Sequence, residues 1–194
     1  MTVLSALIVT SAARARAEGD GAYGRLDADV TLHASLGAGA VLATGESAAV
    51  ARLGARWVES AGAWTAAEWR PNGGSALLSA GVALRPLFPA LFLLDRSTGI
   101  DWVDLTVQSV GLELGVVWGP LGAGAGAALQ VGASLEAPLV RWKGADGLYL
   151  ALGVRWRGAH AQDVAAPHGG AREVIAWAAL LVRRGIRSGL LRRR

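Results

Sequence analysis

Arg25 to Ala40 read RLDADVTLHASLGAGA: every even-numbered residue is apolar, and every odd-numbered one is polar, charged or glycine. Period two means a β-strand whose two faces meet different environments. A soluble strand is usually about five or six residues long, so this run is long enough for a strand that crosses something thick.

The pattern recurs. Leu78, Ala80, Val82 and Leu84 alternate with Ser79, Gly81 and Ala83. The odd positions from Ala127 to Ala137 are apolar against Ala128, Gln130, Gly132, Ser134 and Glu136, and Leu148 to Trp156 sets Leu148, Leu150, Leu152, Val154 and Trp156 against Tyr149, Gly153 and Arg155. Ala49–Trp57 alternates more weakly, Trp64–Arg70 is short, and Val174–Val182 is apolar on both faces. Trp102–Trp118 alternates through Val103, Leu105 and Val107 and then, out of step, from Val110 to Trp118, the slip near Ser109 that a bulge produces. Eight strands are expected, joined at Ala43–Ser47, Ser60–Ala63, Pro71–Ser75, Pro86–Asp101, Gly119–Gly122, Pro138–Gly147 and Gly158–Ala171.

Composition bounds the function classes. Of the 194 residues 53% are hydrophobic and 18% charged, too apolar for a disordered chain, and the absence of cysteine removes disulfides and thiolate chemistry. The formal net charge is +4, yet all 15 acids lie between Glu18 and Glu173, where only 11 of the 19 basic residues lie. The positive excess belongs to Arg14, Arg16 and six arginines after Val182, so no basic face suited to nucleic acid is expected.

The first 17 residues read as an export signal: Thr2–Ala13 is an uncharged apolar stretch, and Ala15 and Ala17 supply small residues for cleavage before Glu18. Residues 18–183 form the expected barrel and 184–194 a basic tail.

The two faces decide the class of barrel. One is mostly Ala, Val and Leu, without the bulky residues that fill a sandwich core; the other carries the charges. Small aliphatic residues on a charge-free face suit lipid, where a mid-depth Arg or Lys costs about 2–4 kcal/mol. Trp57, Trp102, Trp118, Trp142 and Trp156 fall at or beyond strand ends, as a membrane-interface belt requires. The fold class is therefore all-β, a single antiparallel up-and-down transmembrane β-barrel of about eight strands.

On these features residues 23–183 resemble the small eight-stranded outer-membrane barrels of Gram-negative bacteria, typified by the OmpA barrel and OmpX. The resemblance implies an integral protein of the outer membrane whose partners are membrane lipids and an envelope or surface protein, with no cofactor. The chain departs from that group in ending on RGIRSGLLRRR rather than a strand-terminal aromatic, and in the length of Pro86–Asp101, a connection on the side where turns are normally short.

Eight strands enclose a lumen that side chains can fill. The inward acids Asp27, Asp29, Asp104, Glu113 and Glu136 face the inward arginines Arg52, Arg56, Arg85, Arg155 and Arg157, five against five, and are expected to form a plug. A structural, surface-interaction or adhesion role follows, with a narrow gated, porin-like channel as the lesser reading. The alternative is a lipid-modifying enzyme of the lipid A deacylase type, for which His33 and Ser35 share one strand face as catalytic candidates. A metal site is not expected: His160, Asp163 and His168 share a loop at poor spacing. Leu114–Leu135 lacks charge over a length that could span a membrane as a helix, but six glycines and Pro120 oppose it.

Overall fold

A computed structural model of the chain describes residues 28–72, 75–94, 97–119, 126–158 and 173–187. The expected export signal, Asp27 and the His160–His168 stretch lie outside them. Eight strands follow in order: β1 (Val30–Val41), β2 (Ser47–Trp57), β3 (Ala61–Arg70), β4 (Ser75–Leu84), β5 (Gly111–Gly119), β6 (Gly126–Lys143), β7 (Asp146–Arg157) and β8 (Glu173–Ile186). Each pairs antiparallel with the next, and β8 pairs with β1, so the sheet closes as an up-and-down barrel. Two short helices, α1 (Leu87–Leu93) and α2 (Asp101–Gln108), lie between β4 and β5.

The register sets the barrel's dimensions. Paired residues lead from Leu32 through Ala55, Ala63, Val82, Leu114, Val131 and Trp156 to Val174. The Val174 carbonyl accepts from the amide of Leu42, so the circuit returns to β1 ten residues beyond Leu32. At about 3.3 Å per residue and about 4.8 Å between strands, that stagger tilts the strands by about 40° and gives a backbone radius of about 8 Å.

Alternation becomes two surfaces. In β1, Thr31, His33 and Ser35 are buried while Leu32, Ala34 and Leu36 are exposed. Leu53, Leu78, Val82, Leu112, Leu114, Leu129, Val154, Leu180 and Val182 continue the outer face round the barrel. Inside, Trp64 has room because its neighbours across the wall lack side chains: a Cβ on Gly115 would lie 3.0 Å from its ring, and Gly153 stands in the same relation to Trp177. One wall of the lumen is apolar, built from Val50, Tyr149, Ala151, Ala179 and Leu181, which accounts for the inner apolar face of Val174–Val182.

The turns sort into two ends. One end carries the start of β1, the end of β8, the turns 58–60 and 144–145 and the long connection 85–110; it is called here the terminal end. The other, the loop end, carries the connections 42–46, 71–74, 120–125 and 158–172.

Two sequence expectations are corrected. Trp102–Trp118 is not one bulged strand: Asp101–Gln108 is α2, and the ladder starts only at Gly111. The apolar spacing of Val103, Leu105 and Val107 mimics a strand, but Asp101 and Asp104 in the first turn favour a helix N-terminus. Pro138–Gly147 is not a connection; β6 runs on to Lys143 through register shifts after Pro138 and Arg141, the kind of place where a residue without an N–H is tolerated. Leu114–Leu135 is not a helix, as its glycines and Pro120 imply: β5 and β6 occupy most of it.

Candidate functional site

The lumen is the chemically distinctive part of the molecule. Among the described residues seven arginines are buried there, Arg52, Arg56, Arg70, Arg85, Arg155, Arg157 and Arg183, each 7% exposed or less, and each makes an ion pair. They are held in three tiers.

At the terminal end, Glu136 accepts from Arg56 through both guanidinium Nη atoms, and Arg85 Nη2 lies 2.6 Å from the same carboxylate. Glu59 holds Arg85 at 3.0 Å and Arg183 at 2.7 Å. Glu59 sits in the tight β2–β3 turn, where Val58 and Glu59 adopt positive φ (45° and 55°), a left-handed conformation that non-glycine residues rarely take. Closing the turn this way leaves the Glu59 carboxylate buried with its two arginines. Arg183 also stacks over the Tyr149 ring, 5.1 Å from its centroid.

In the middle tier Glu113 accepts from Arg52 at 2.5 Å and from Arg155 at 3.2 Å. Both guanidinium groups lie against the inward tryptophans: Arg52 is 4.7 Å and Arg155 4.9 Å from the Trp64 ring, and Arg155 is 4.9 Å from Trp177. The stacking supplements a single carboxylate shared by two cations.

At the loop end Glu68 receives Arg157 at 2.6 and 3.1 Å and Arg70 at 3.0 Å. Arg70 reaches on to Glu173 at 2.7 and 2.8 Å, and Gln130 Oε1 accepts from Arg157 Nε at 2.9 Å. The more exposed Glu46 lies 3.6 Å from Arg70.

Of the expected lumen residues, Arg52, Arg56, Arg85, Glu113, Glu136, Arg155 and Arg157 come together in these tiers, and Asp29 is buried at the start of β1. Asp104 does not join them: it sits on α2, where its carboxylate accepts from the Thr98 and Gly99 amides at 2.8 and 3.1 Å and ties down the helix's own N-terminal loop. Glu59, Glu68, Arg70 and Arg183 are missing from the sequence reading, as are Trp64 and Trp177. The period-two signal was present for Trp64, Glu68 and Arg70, which share a face of β3; for Glu59, in a turn, no periodic signal exists.

His33 and Ser35 both point inward and are buried. Neither ring nitrogen of His33 has a hydrogen-bond partner, so it is not poised as the base of a serine, nor is it bonded to a neighbouring carboxylate. The imidazole instead fills space against Gly54, whose missing Cβ makes room for it. Among the described residues no group of His, Asp or Glu could hold a metal ion, and no helix is long and apolar enough to cross a membrane.

The tryptophans divide by face. Trp57, Trp102, Trp118, Trp142 and Trp156 are all on the outside, with Trp69, which the sequence reading did not single out. Trp57, Trp102 and Trp142 ring the terminal end; Trp69, Trp118 and Trp156 ring the loop end. Trp57 pairs with Ala61, and Trp69 stands eight residues further along β3. That is about 27 Å of strand, or about 21 Å of height at a tilt of about 40°.

The site and fold define a closed eight-stranded antiparallel barrel with an apolar outside and an arginine–glutamate lumen. No family model, curated protein or solved structure matches the chain.

Proposed function

We propose that this protein is an integral outer-membrane barrel with a structural or surface-interaction role, its lumen sealed by the three tiers of ion pairs. One observation carries the reading: the barrel is inside out. Its buried interior holds seven arginines, while the outward strand positions are Ala, Val, Leu, Ile, Ser, Thr and Trp, with Arg184 standing out at the terminal end. Closure leaves no backbone edge to meet lipid, which an open sheet cannot achieve in a bilayer. The two tryptophan rings, about 21 Å apart, match an apolar band of about 25 Å flanked by aromatic girdles.

In this setting the loop end faces outward and offers the connections 71–74 and 158–172 to an envelope or surface partner. The role is anchoring and presentation rather than passage, because Arg52 and Arg155 lie between Trp64 and Trp177 across the middle of a lumen only about 8 Å in backbone radius. The lipid A deacylase reading has no support in the position of His33 and Ser35, which are buried away from the surface where a lipid ester would lie.

Fractionation with heat-modifiable gel migration tests the proposal. The protein should enter the outer-membrane fraction and migrate differently before and after boiling, and protease added to intact cells should cut within 158–172. A soluble protein with a single migration would overturn it. A change in lipid A species on deleting the gene would revive the enzyme.

A further inference from the structure

The long connection between β4 and β5 has an inverted helix. In α2 the residues turned inward include Asp104 and Gln108, 5% and 3% exposed, alongside Leu105. The residues turned outward are Trp102 and Val107, 54% and 41% exposed, with Ile100 beside them at 59%. A surface helix in water does the opposite, burying its apolar stripe and showing its polar one. α2 thus follows the rule of the barrel wall rather than that of a soluble loop.

Its position gives the reason. β5 begins at Gly111, opposite Ser134 of β6, whereas β6 continues for nine more residues and pairs there only with β7. The β5-facing edge of that extension would be open backbone. α2 lies along it: Ser109 Oγ donates to the Glu136 carbonyl and accepts from the Glu136 amide, both at 2.7 Å, and Asp101 pairs with Arg141 at 2.8 Å further along. An open edge costs little in water but is not tolerated in hydrocarbon, where each unsatisfied group costs several kcal/mol.

We infer that α2 is a membrane-embedded element: it takes the place of a missing strand on the edge of β6 and presents Ile100, Trp102 and Val107 to the lipid of the terminal-end leaflet. The partner is the bilayer itself at the depth of the headgroup boundary. The same belt continues through Trp57 and Trp142, both outward at this end, and the β6 extension adds exposed Leu139 and Val140 beside α2. The inference rests on the barrel's being in a membrane and goes further, since an ordinary connection at this end would lie in water.

The absence of cysteine makes the test direct, since one introduced cysteine can carry a nitroxide spin label. Four full-length variants, Val107→Cys, Ile100→Cys, Leu114→Cys and Ala43→Cys, are labelled and reconstituted in phospholipid vesicles, and collision with oxygen is compared with collision with a water-soluble nickel chelate. Leu114 is outward on β5 and Ala43 lies exposed in the β1–β2 turn. Labels at 107 and 100 should favour oxygen several-fold, as at 114, while 43 favours the chelate. If 114 favours oxygen but 107 and 100 favour the chelate, this inference falls and the membrane barrel stands. If 114 itself favours the chelate, the membrane reading falls and takes this inference with it.

Discussion

Glu68 on β3 and Arg157 on β7 meet across the full width of the lumen: Arg157 Nη1 and Nη2 donate to the two Glu68 carboxylate oxygens at 3.1 and 2.6 Å. Their strands are four apart in a circle of eight, so the pair spans the barrel like a strut. Both side chains are nearly fully buried, 4% and 2% exposed.

Breaking such a strut from one side should cost more than removing it. Glu68→Leu leaves the buried Arg157 only the more distant Glu173, 3.7 Å away, as a carboxylate partner and is expected to lower the unfolding free energy by up to about 3–5 kcal/mol, whereas replacing a buried pair with apolar groups is often nearly neutral. Arg70 keeps Glu173 in either case. Urea titration of folded protein in vesicles should therefore find Glu68→Leu with Arg157→Met more stable than Glu68→Leu alone. Additive losses would mean that the strut carries no coupling.

The outer face should be sensitive to depth. Leu32 lies near the terminal end of β1, paired with Arg184, which already places an outward charge at that level. Leu36 lies four residues further in, about 13 Å along the strand and about 10 Å deeper. In a bilayer Leu36→Arg should cost about 2–4 kcal/mol and Leu32→Arg about 0–1 kcal/mol. Equal costs in vesicle unfolding would remove the case for a depth gradient.

Tyr149 serves Arg183 with its ring and the β6–β7 turn with its hydroxyl, which donates to the Ala145 carbonyl at 2.7 Å. Tyr149→Phe keeps the ring and should lose about 1 kcal/mol. Tyr149→Leu loses both contacts, and the cation–π part alone is worth about 2 kcal/mol when desolvated. Urea midpoints of the two variants measure the difference.

Ser109 Oγ both accepts from the amide and donates to the carbonyl of Glu136. Ser109→Ala should cost about 1–3 kcal/mol, the penalty for buried polar groups left without that partner. Hydrogen exchange at the Glu136 amide should accelerate, while amides in the β1–β8 ladder keep their protection. Unchanged exchange at Glu136 would show that α2 does not guard this edge.

Much of the barrel was legible because a strand's side chains point to opposite faces in strict turn. Thr31, His33 and Ser35 against Leu32, Ala34 and Leu36 follow from period two alone, and so does the inward placement of Arg52, Glu113, Arg155 and Arg157. The outward Trp57, Trp118 and Trp156 were legible for the same reason, whereas Trp102 lies on α2 and Trp142 on the stretch of β6 expected to be a connection. Where periodicity lapses, the reading failed. Glu59 lies in a turn, and Arg183 follows a segment apolar on both faces, where no alternation marks it for the lumen into which β8 carries it.

The sequence by itself therefore determined the strands, their number and which face of each is apolar, since these depend on local alternation and a chemical contrast between neighbours. Only the tertiary structure decided which arginine meets which glutamate, because those partners sit on strands up to halfway round the barrel and their heights depend on the ten-residue stagger of closure. It also decided that Asp101–Gln108 is a helix. The apolar spacing there suits a strand, and what favours the helix is a β6 that outruns β5 and leaves a backbone edge for α2 to cover.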